Sequence, residues 1–269
     1  MVAEPNNNIN QIDVAFFLVP GFSMMALSAA VEPLRALNRL IGERRYSWQI
    51  VARENGPVAA SNGFEINAPF SIETAPVTEL TIVVASIGVQ VYNDRAVFEW
   101  LRRRRGGGRA VGAVSNGTLL LARAQLLDGR AATIHWEKQR QFAEEFPEVI
   151  VKPDLYCVED DILTAAGGTA TFDLMLAWIA RHDGHDAAAD VAEQFLHGAL
   201  REPDAVQRSD AAWRYQVTDK RLLSAIELME CNIEHPLRIS QLAGLAGTSE
   251  RQLERLFGEN FKWPLLNST

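Results

Sequence analysis

Residues 110–127 read AVGAVSNGTLLLARAQLL. Ala110–Val114 is a continuous apolar run too short for a buried helix, so it predicts a strand covered on both faces. From Gly117 to Leu127 the apolar residues recur at helical spacing. Ser115-Asn116-Gly117 is left at the corner. A doubly buried strand running straight into a helix is the unit of a parallel α/β sheet.

The same pattern extends in both directions. Ile12–Val19 (IDVAFFLV) is a nearly unbroken apolar run that stops at Pro20-Gly21, and Leu80–Ala85 (LTIVVA) is another. Further strands are predicted at Trp48–Ala52, Ala131–Ile134, Val149–Val151 and Tyr156–Thr164. Helices are predicted at Ser23–Arg45, Arg95–Arg105, Trp136–Phe146, Thr169–Arg181 and Ala187–Leu200. In the first of these, Met24, Leu27, Val31, Leu34, Leu37 and Ile41 form the apolar stripe. Strands alternating with helices give an α/β fold with a mainly parallel sheet over residues 10–200, whose ligand crevice lies beyond the carboxyl ends of the strands. The pattern stops at Arg201–Val217, which reads as a linker. Residues 218–269 carry no strand signal: Lys220–Ile233, Ile239–Ala246 and Ser249–Phe261 read as three helices of a small all-α segment.

Composition narrows the function classes. An apolar share of 48% with 22% charged residues is that of a globular chain. No apolar run approaches the ~20 residues of a membrane span, and the N-terminus lacks the basic and apolar regions of a signal peptide, so a cytoplasmic protein is expected. Two cysteines, Cys157 and Cys231, and five scattered histidines offer neither a disulfide framework nor metal-ligand spacing. No metal and no cofactor is expected. The net charge of −8 resides in residues 1–204, which hold 18 Lys and Arg against 26 Asp and Glu, whereas residues 205–269 are balanced. An acidic chain is a poor general phosphate binder, but it can carry a small DNA-reading module. The one basic run, Arg102–Arg105, reads as a solvated helix end, where cations suit the negative C-terminal dipole.

Two places carry chemistry. At the first, Ser115 occupies a strand-to-helix corner where backbone N–H groups can bind an anion and Gly117 removes a Cβ from a tight turn. Alone, this is a Ser N-cap. Glu32, on the helix after the first strand, and His135, at the end of the strand after the corner helix, can bring a carboxylate and an imidazole to the same sheet edge. At the second, Leu242, Leu245, Leu253, Leu256 and Phe257 have the spacing of a helix-turn-helix core. Ala243 and Ala246 allow close crossing, and Gly247 turns the chain. Ser249 with Gln252 reads as a capping box. Ser249, Glu250, Arg251, Gln252 and Arg255 are left on the outer face, with Arg and Gln suited to guanine and adenine edges.

The ordered set Ala113–Gly117, Asp128-Gly129-Arg130, Ala132–Trp136, Thr164–Thr169 and Phe172–Met175 resembles the PfpI-type, glutamine-amidotransferase-like domain. Together with Leu237-Arg238-Ile239 and Arg251–Phe257, it resembles more narrowly the GlxA-type subgroup of AraC-family transcriptional regulators. The resemblance implies a flavodoxin-like sandwich, a homodimer, and a domain that senses a small nitrogenous metabolite. Its partners would be that effector and operator DNA, and no membrane. It also implies that catalytic relatives carry cysteine and histidine where this chain has Ser115 and Asn116, and that Glu32 matches the carboxylate beside that cysteine. A thiol ionises readily, with a free pKa of about 8.5, whereas a serine hydroxyl needs an adjacent base. The expectation is therefore a non-enzymatic sensor with Glu32, Ser115, Asn116 and His135 around its ligand. The alternatives are a serine hydrolase or amidase using Ser115 with His135 or Glu32, and an interaction module with a vestigial DNA domain. Family members follow this helix-turn-helix with a linker helix and a second one. The sequence stops at Thr269 before such a unit, which predicts weakened DNA affinity.

Overall fold

The N-terminal apolar run forms β1 (Ile12–Leu18), and its alternation organises the first half of the molecule. Val14, Phe16 and Leu18 point into one core, and Ala15, Phe17 and Val19 into another on the opposite face. Every one of these side chains is buried, as a strand covered by helices on both sides requires. The computed structural model describes residues 11–198, 200–205, 207, 215, 217–232 and 236–261, and the chain divides into Met1–Gln207 and Arg208–Thr269.

In the first unit β1 pairs in parallel with β2 (Tyr46–Ala52) and β6 (Leu80–Ala85). β6 continues to β7 (Ala110–Ser115), β7 to β11 (Ile162–Ala165), and β2 to β5 (Phe70–Ser71), all parallel. β10 (Tyr156–Glu159) closes the edge antiparallel to β11. The order is β10-β11-β7-β6-β1-β2-β5. One face is covered by α1 (Met24–Ile41), α5 (Ala170–Asp183) and α6 (His185–Gln194). The other is covered by α2 (Arg95–Arg105), α3 (Thr118–Arg123) and α4 (Gln139–Glu145). The mainly parallel, flavodoxin-like sandwich is the architecture expected from the sequence.

Local departures have local causes. The single strand expected at 156–164 is a hairpin, because Asp160 turns the chain with φ +53°, a conformation that Asp tolerates. β3 (Gly56–Ala59) and β4 (Glu65–Ala68) form an exposed hairpin that the apolar pattern does not announce. The strands expected at 131–134 and 149–151 shrink to the two-residue pair β8 (Ala131–Ala132) and β9 (Ile150–Val151). α1 starts where Ser23 Oγ accepts from Ala26 N at 3.2 Å, and it ends at Gly42, φ +72°, short of Arg45. Thr118–Arg123 and α6 likewise end before Leu127 and Leu200. The basic run is not a solvated end throughout. Arg104 is buried over the Trp100 ring, 4.8 Å from its centroid, and donates to the Ala75 carbonyl at 2.8 Å. Arg105 pairs with Asp161 at 2.8 Å.

In the second unit Asp219 caps α7 (Lys220–Cys231), accepting from Arg221 N at 2.9 Å. α8 (Ile239–Leu245) and α9 (Glu250–Phe261) follow, joined through Gly247 at φ +67°. Leu222, Ala225, Ile226, Leu242, Ala243, Ala246, Leu253 and Leu256 form the core, with Phe257 packed against it. Leu245 corrects the sequence reading: it is 64% exposed, because the α8 face toward the core is filled by Leu242, Ala243 and Ala246. Ile233 and the segment after Phe261 lie outside the described residues, as does most of the expected linker. Arg201, Pro203 and Gln207 are hydrogen-bonded into the first unit.

Candidate functional site

β6 and β7 end side by side, with Ala85 opposite Ser115. At that end Ser115 takes φ +58°, a left-handed conformation that costs a residue with a Cβ roughly 1–2 kcal/mol. Such strain persists where the surroundings impose it, and here two glycines do so. A Cβ on Gly117 would lie 2.7 Å from the Val83 carbonyl oxygen and 3.0 Å from that of Val114. A Cβ on Gly167, itself at φ +104°, would lie 2.7 Å from Ser115 Cβ and 3.0 Å from Ser115 Oγ. The loop after β11 is thus pressed directly onto the serine, which is buried.

The residues around the corner are polar. Asn116 Nδ2 donates to the Ser86 carbonyl at 3.2 Å, while Asn116 Oδ1 is buried without a partner among the described residues. An acceptor in that state costs free energy until a donor reaches it. Behind it, Thr118 Oγ1 donates to the Thr133 carbonyl at 2.9 Å, and Thr133 N donates to Thr164 Oγ1 at 3.0 Å. His135 is half-buried three residues beyond β8, with Nδ1 3.9 Å from Glu137. Burial pulls its pKa below the usual imidazole value, and Glu137 partly opposes this.

Glu32 occupies a different wall. Its carboxylate accepts from Arg35 Nε at 2.6 Å, and it lines a cavity of about 290 Å³ with Met25, Ser28, Ala29, Thr169, Phe172, Phe195 and His197. Ser115, Asn116 and His135 do not line this cavity. The link between the two places is the loop 167–169: Gly167 sits on Ser115, and Thr169 belongs to the Glu32 cavity. Among the described residues no hydrogen bond joins the Ser115 hydroxyl to His135 or Glu32. The corner offers hydrogen-bonding groups, and the cavity offers one carboxylate, an imidazole and apolar walls. In the sequence Gly167, Gly168, Thr169, Phe172 and Asp173 stand out only as part of the family-like motifs. Phe195 and His197 carry no sequence signal of this role.

In the second unit Ser249 Oγ accepts from Gln252 N at 3.3 Å, capping α9, but Gln252 Oε1 accepts from Thr248 Oγ1 instead of closing the expected capping box. Ser249, Glu250, Arg251 and Arg255 are exposed, and Gln252 is half-buried. Two of these side chains already have intramolecular partners. Thr248 Oγ1 donates to Gln252 Oε1 at 3.3 Å, and Arg255 pairs with Glu259 at 3.1 Å. Among the described residues there is no group of acidic, histidine and cysteine side chains that could hold a metal ion, and no helix is long and apolar enough to cross a membrane.

Comparison with known proteins identifies the family of the first unit. The DJ-1/PfpI family pattern matches residues 13–181. The chain is 40% identical over 245 residues to the HTH-type transcriptional regulator CdhR of Pseudomonas aeruginosa, covering 91% of this chain and 73% of that one. It is 36% identical over 261 residues to the HTH-type transcriptional regulator GlxA of Rhizobium meliloti, covering 96% of this chain and 80% of the relative. Among solved structures, that of an AraC family transcriptional regulator from Pseudomonas putida superposes with a TM-score of 0.63 at 25% identity. The match covers 68% of this chain and 99% of the other. The parallel sandwich with its strained serine corner belongs to the DJ-1/PfpI family, in the company of relatives that are HTH-type transcriptional regulators.

Proposed function

We propose that this chain is a DNA-binding transcriptional regulator of the AraC-type, GlxA-like group, whose DJ-1/PfpI domain binds a small nitrogenous metabolite and does not hydrolyse it. The observation that carries the DNA-reading half is α9: its apolar residues Leu253 and Leu256 are buried, and its N-terminal turn presents Ser249, Glu250 and Arg251 outward, with Gln252 and Arg255 beside them. That end of a recognition helix enters the major groove. Arg251, with no ion pair among the described residues, is the strongest base reader, and Gln252 and Arg255 must exchange their present partners Thr248 and Glu259 for DNA.

The sensing half rests on the serine corner. A hydrolase needs a base within hydrogen-bond reach of its nucleophile. Ser115 is bonded to neither His135 nor Glu32, which supports binding over turnover. Glu32 then supplies a carboxylate to a cationic group of a ligand in the cavity, and the polar corner of Ser115, Asn116 and His135, joined to it by the 167–169 loop, offers a separate set of hydrogen-bonding groups. The effector acts by changing how two DNA-reading units of a homodimer are placed. Mobility shifts on a selected operator test the DNA half. Replacing Arg251 by Ala is expected to cost about 1–3 kcal/mol and relax preference at one base pair. Undiminished binding after substitution at Arg251, Gln252 and Arg255 together contradicts it. Turnover of acyl substrates that vanishes in Ser115→Ala contradicts the sensing half and supports the serine hydrolase.

A further inference from the structure

Asp173, in the first turn of α5, is completely buried. A carboxylate in that position is costly unless paired and hydrogen-bonded. Its partners all come from one segment. His197 Nε2 lies 3.0 Å from Oδ1, Arg201 N donates to Oδ1 at 3.2 Å, and Arg201 Nε donates to Oδ2 at 3.0 Å. Arg201 Nη2 reaches Asp173 and also donates to Thr169 Oγ1 at 2.9 Å. The same segment is laced further along. Leu155 N donates to the Pro203 carbonyl at 2.8 Å, and Tyr156 Oη donates to that of Arg201 at 3.2 Å. Gln207 Nε2 lies within 3.0 Å of Thr133 Oγ1, the Ile134 carbonyl and the Asp154 carbonyl. His197, Arg201, Pro203 and Gln207 thus tie this segment as a strap across the first unit, which ends at Gln207.

One end of the strap is in the Glu32 cavity. The His197 ring lines it, 5.0 Å from the ring of Phe172, with Phe195 alongside. With Nε2 held by Asp173, Nδ1 remains for an occupant. We propose that His197, positioned by Asp173, contacts the ligand in the Glu32 cavity, and that the strap held by Asp173 responds to the occupancy of that cavity. This deepens the sensor reading and rests on it. The walls set the ligand class. A cavity of about 290 Å³ suits a small organic molecule. Met25, Phe172 and Phe195 take an apolar body, and Glu32 takes a cationic group in place of an exposed Arg35 pair that contributes little. The ligand is a compact organic cation with a hydrogen-bonding group for His197.

Hydrogen exchange of the strap amides in the whole chain tests this. Asp173→Asn is expected to speed exchange at Arg201 at least tenfold. Ala29→Leu, which fills the cavity from the α1 side, is expected to change exchange at 198–205 with Asp173 intact. Ethanolammonium chloride, a compact cation with a hydroxyl for His197, against sodium chloride at equal ionic strength, is expected to slow exchange of the same amides in the wild type but not in Glu32→Gln or Asp173→Asn. If Asp173→Asn does not fold, His197→Gln replaces it. Exchange within twofold of wild type after both cavity filling and ammonium overturns the proposal. So does an ammonium effect that survives in Asp173→Asn, which leaves Asp173 a merely structural residue. The readout involves no DNA, so failure of the regulator reading shows separately, as absence of sequence-selective DNA binding.

Discussion

Replacing Gly167 by Ala probes the serine corner directly. The new Cβ would meet Ser115 Cβ at 2.7 Å and Ser115 Cα and Oγ at 3.0 Å, and Ala would be held at φ +104°. Backbone strain of this kind costs about 1–3 kcal/mol, and overpacking a close contact adds about 1–3 kcal/mol. Gly168 is the internal control. Its φ is +54° and a Cβ there would meet nothing within 4 Å, so Gly168→Ala carries only the left-handed penalty of roughly 1–2 kcal/mol. With the left-handed penalties at the two sites equal, the contact term, about 1–3 kcal/mol, is the difference between the two variants. For a unit of this size each kcal/mol moves Tm by about 2–4 °C, so Gly167→Ala should melt about 2–12 °C below Gly168→Ala. Thermal unfolding by circular dichroism, checked by urea titration, measures this. Equal melting temperatures would mean that Gly167 does not press on Ser115, and the account of the corner would lose its structural basis.

Other outcomes follow from single residues. Leu253→Ala, in the core of the second unit, should cost about 2–5 kcal/mol and expose α8 and α9 to hydrogen exchange, whereas Leu245→Ala should stay within about 0.5 kcal/mol. His135, whose folded pKa is lowered by burial, binds fewer protons folded than unfolded, so stability should be full above its unfolded value and fall as pH drops through about 6.5 toward the lowered folded value. His135→Gln should remove that component from a pH series of urea midpoints, and an unchanged pH dependence would refute it. The Cys157 thiol, pushed up to about 12 by burial and by Asp154, should resist iodoacetamide at pH 8 in the native chain and react in denaturant. Peptide mapping by mass spectrometry distinguishes its alkylation from that of Cys231.

The parts legible in the sequence were those where burial leaves a one-dimensional trace. Residues 12–18, 80–85 and 110–115 are buried on both sides, so their apolar runs announce both the strands and the parallel sheet. The Ser115 corner is legible because a strand and a helix meet there without a loop. The hairpin β3–β4 buries only Val58 and Ala68 and leaves no such run. At 156–164 a left-handed Asp160 interrupts an otherwise strand-like stretch. Leu245 has the spacing of a core residue, but the smaller Ala243 and Ala246 take the contact. The neighbours of Glu32 were hidden for a different reason. Thr169, Phe172, Phe195 and His197 are over 130 residues away along the chain, and only the packing of α1 beside α5 and α6 brings them together. Asp173 appeared as part of a motif, but its partners His197 and Arg201 fall where the helical pattern gives way to the expected linker.

The central claim is that α9 reads DNA sequence. Selection of bound duplexes from a randomised library, at about 150 mM salt, tests it with wild type in parallel with the combined Arg251→Ala, Gln252→Ala and Arg255→Ala variant. The account predicts a defined motif enriched by the wild type and lost in the variant, with residual binding that weakens uniformly as salt rises. Enrichment of the same motif by both proteins, or of none by the wild type, would contradict it.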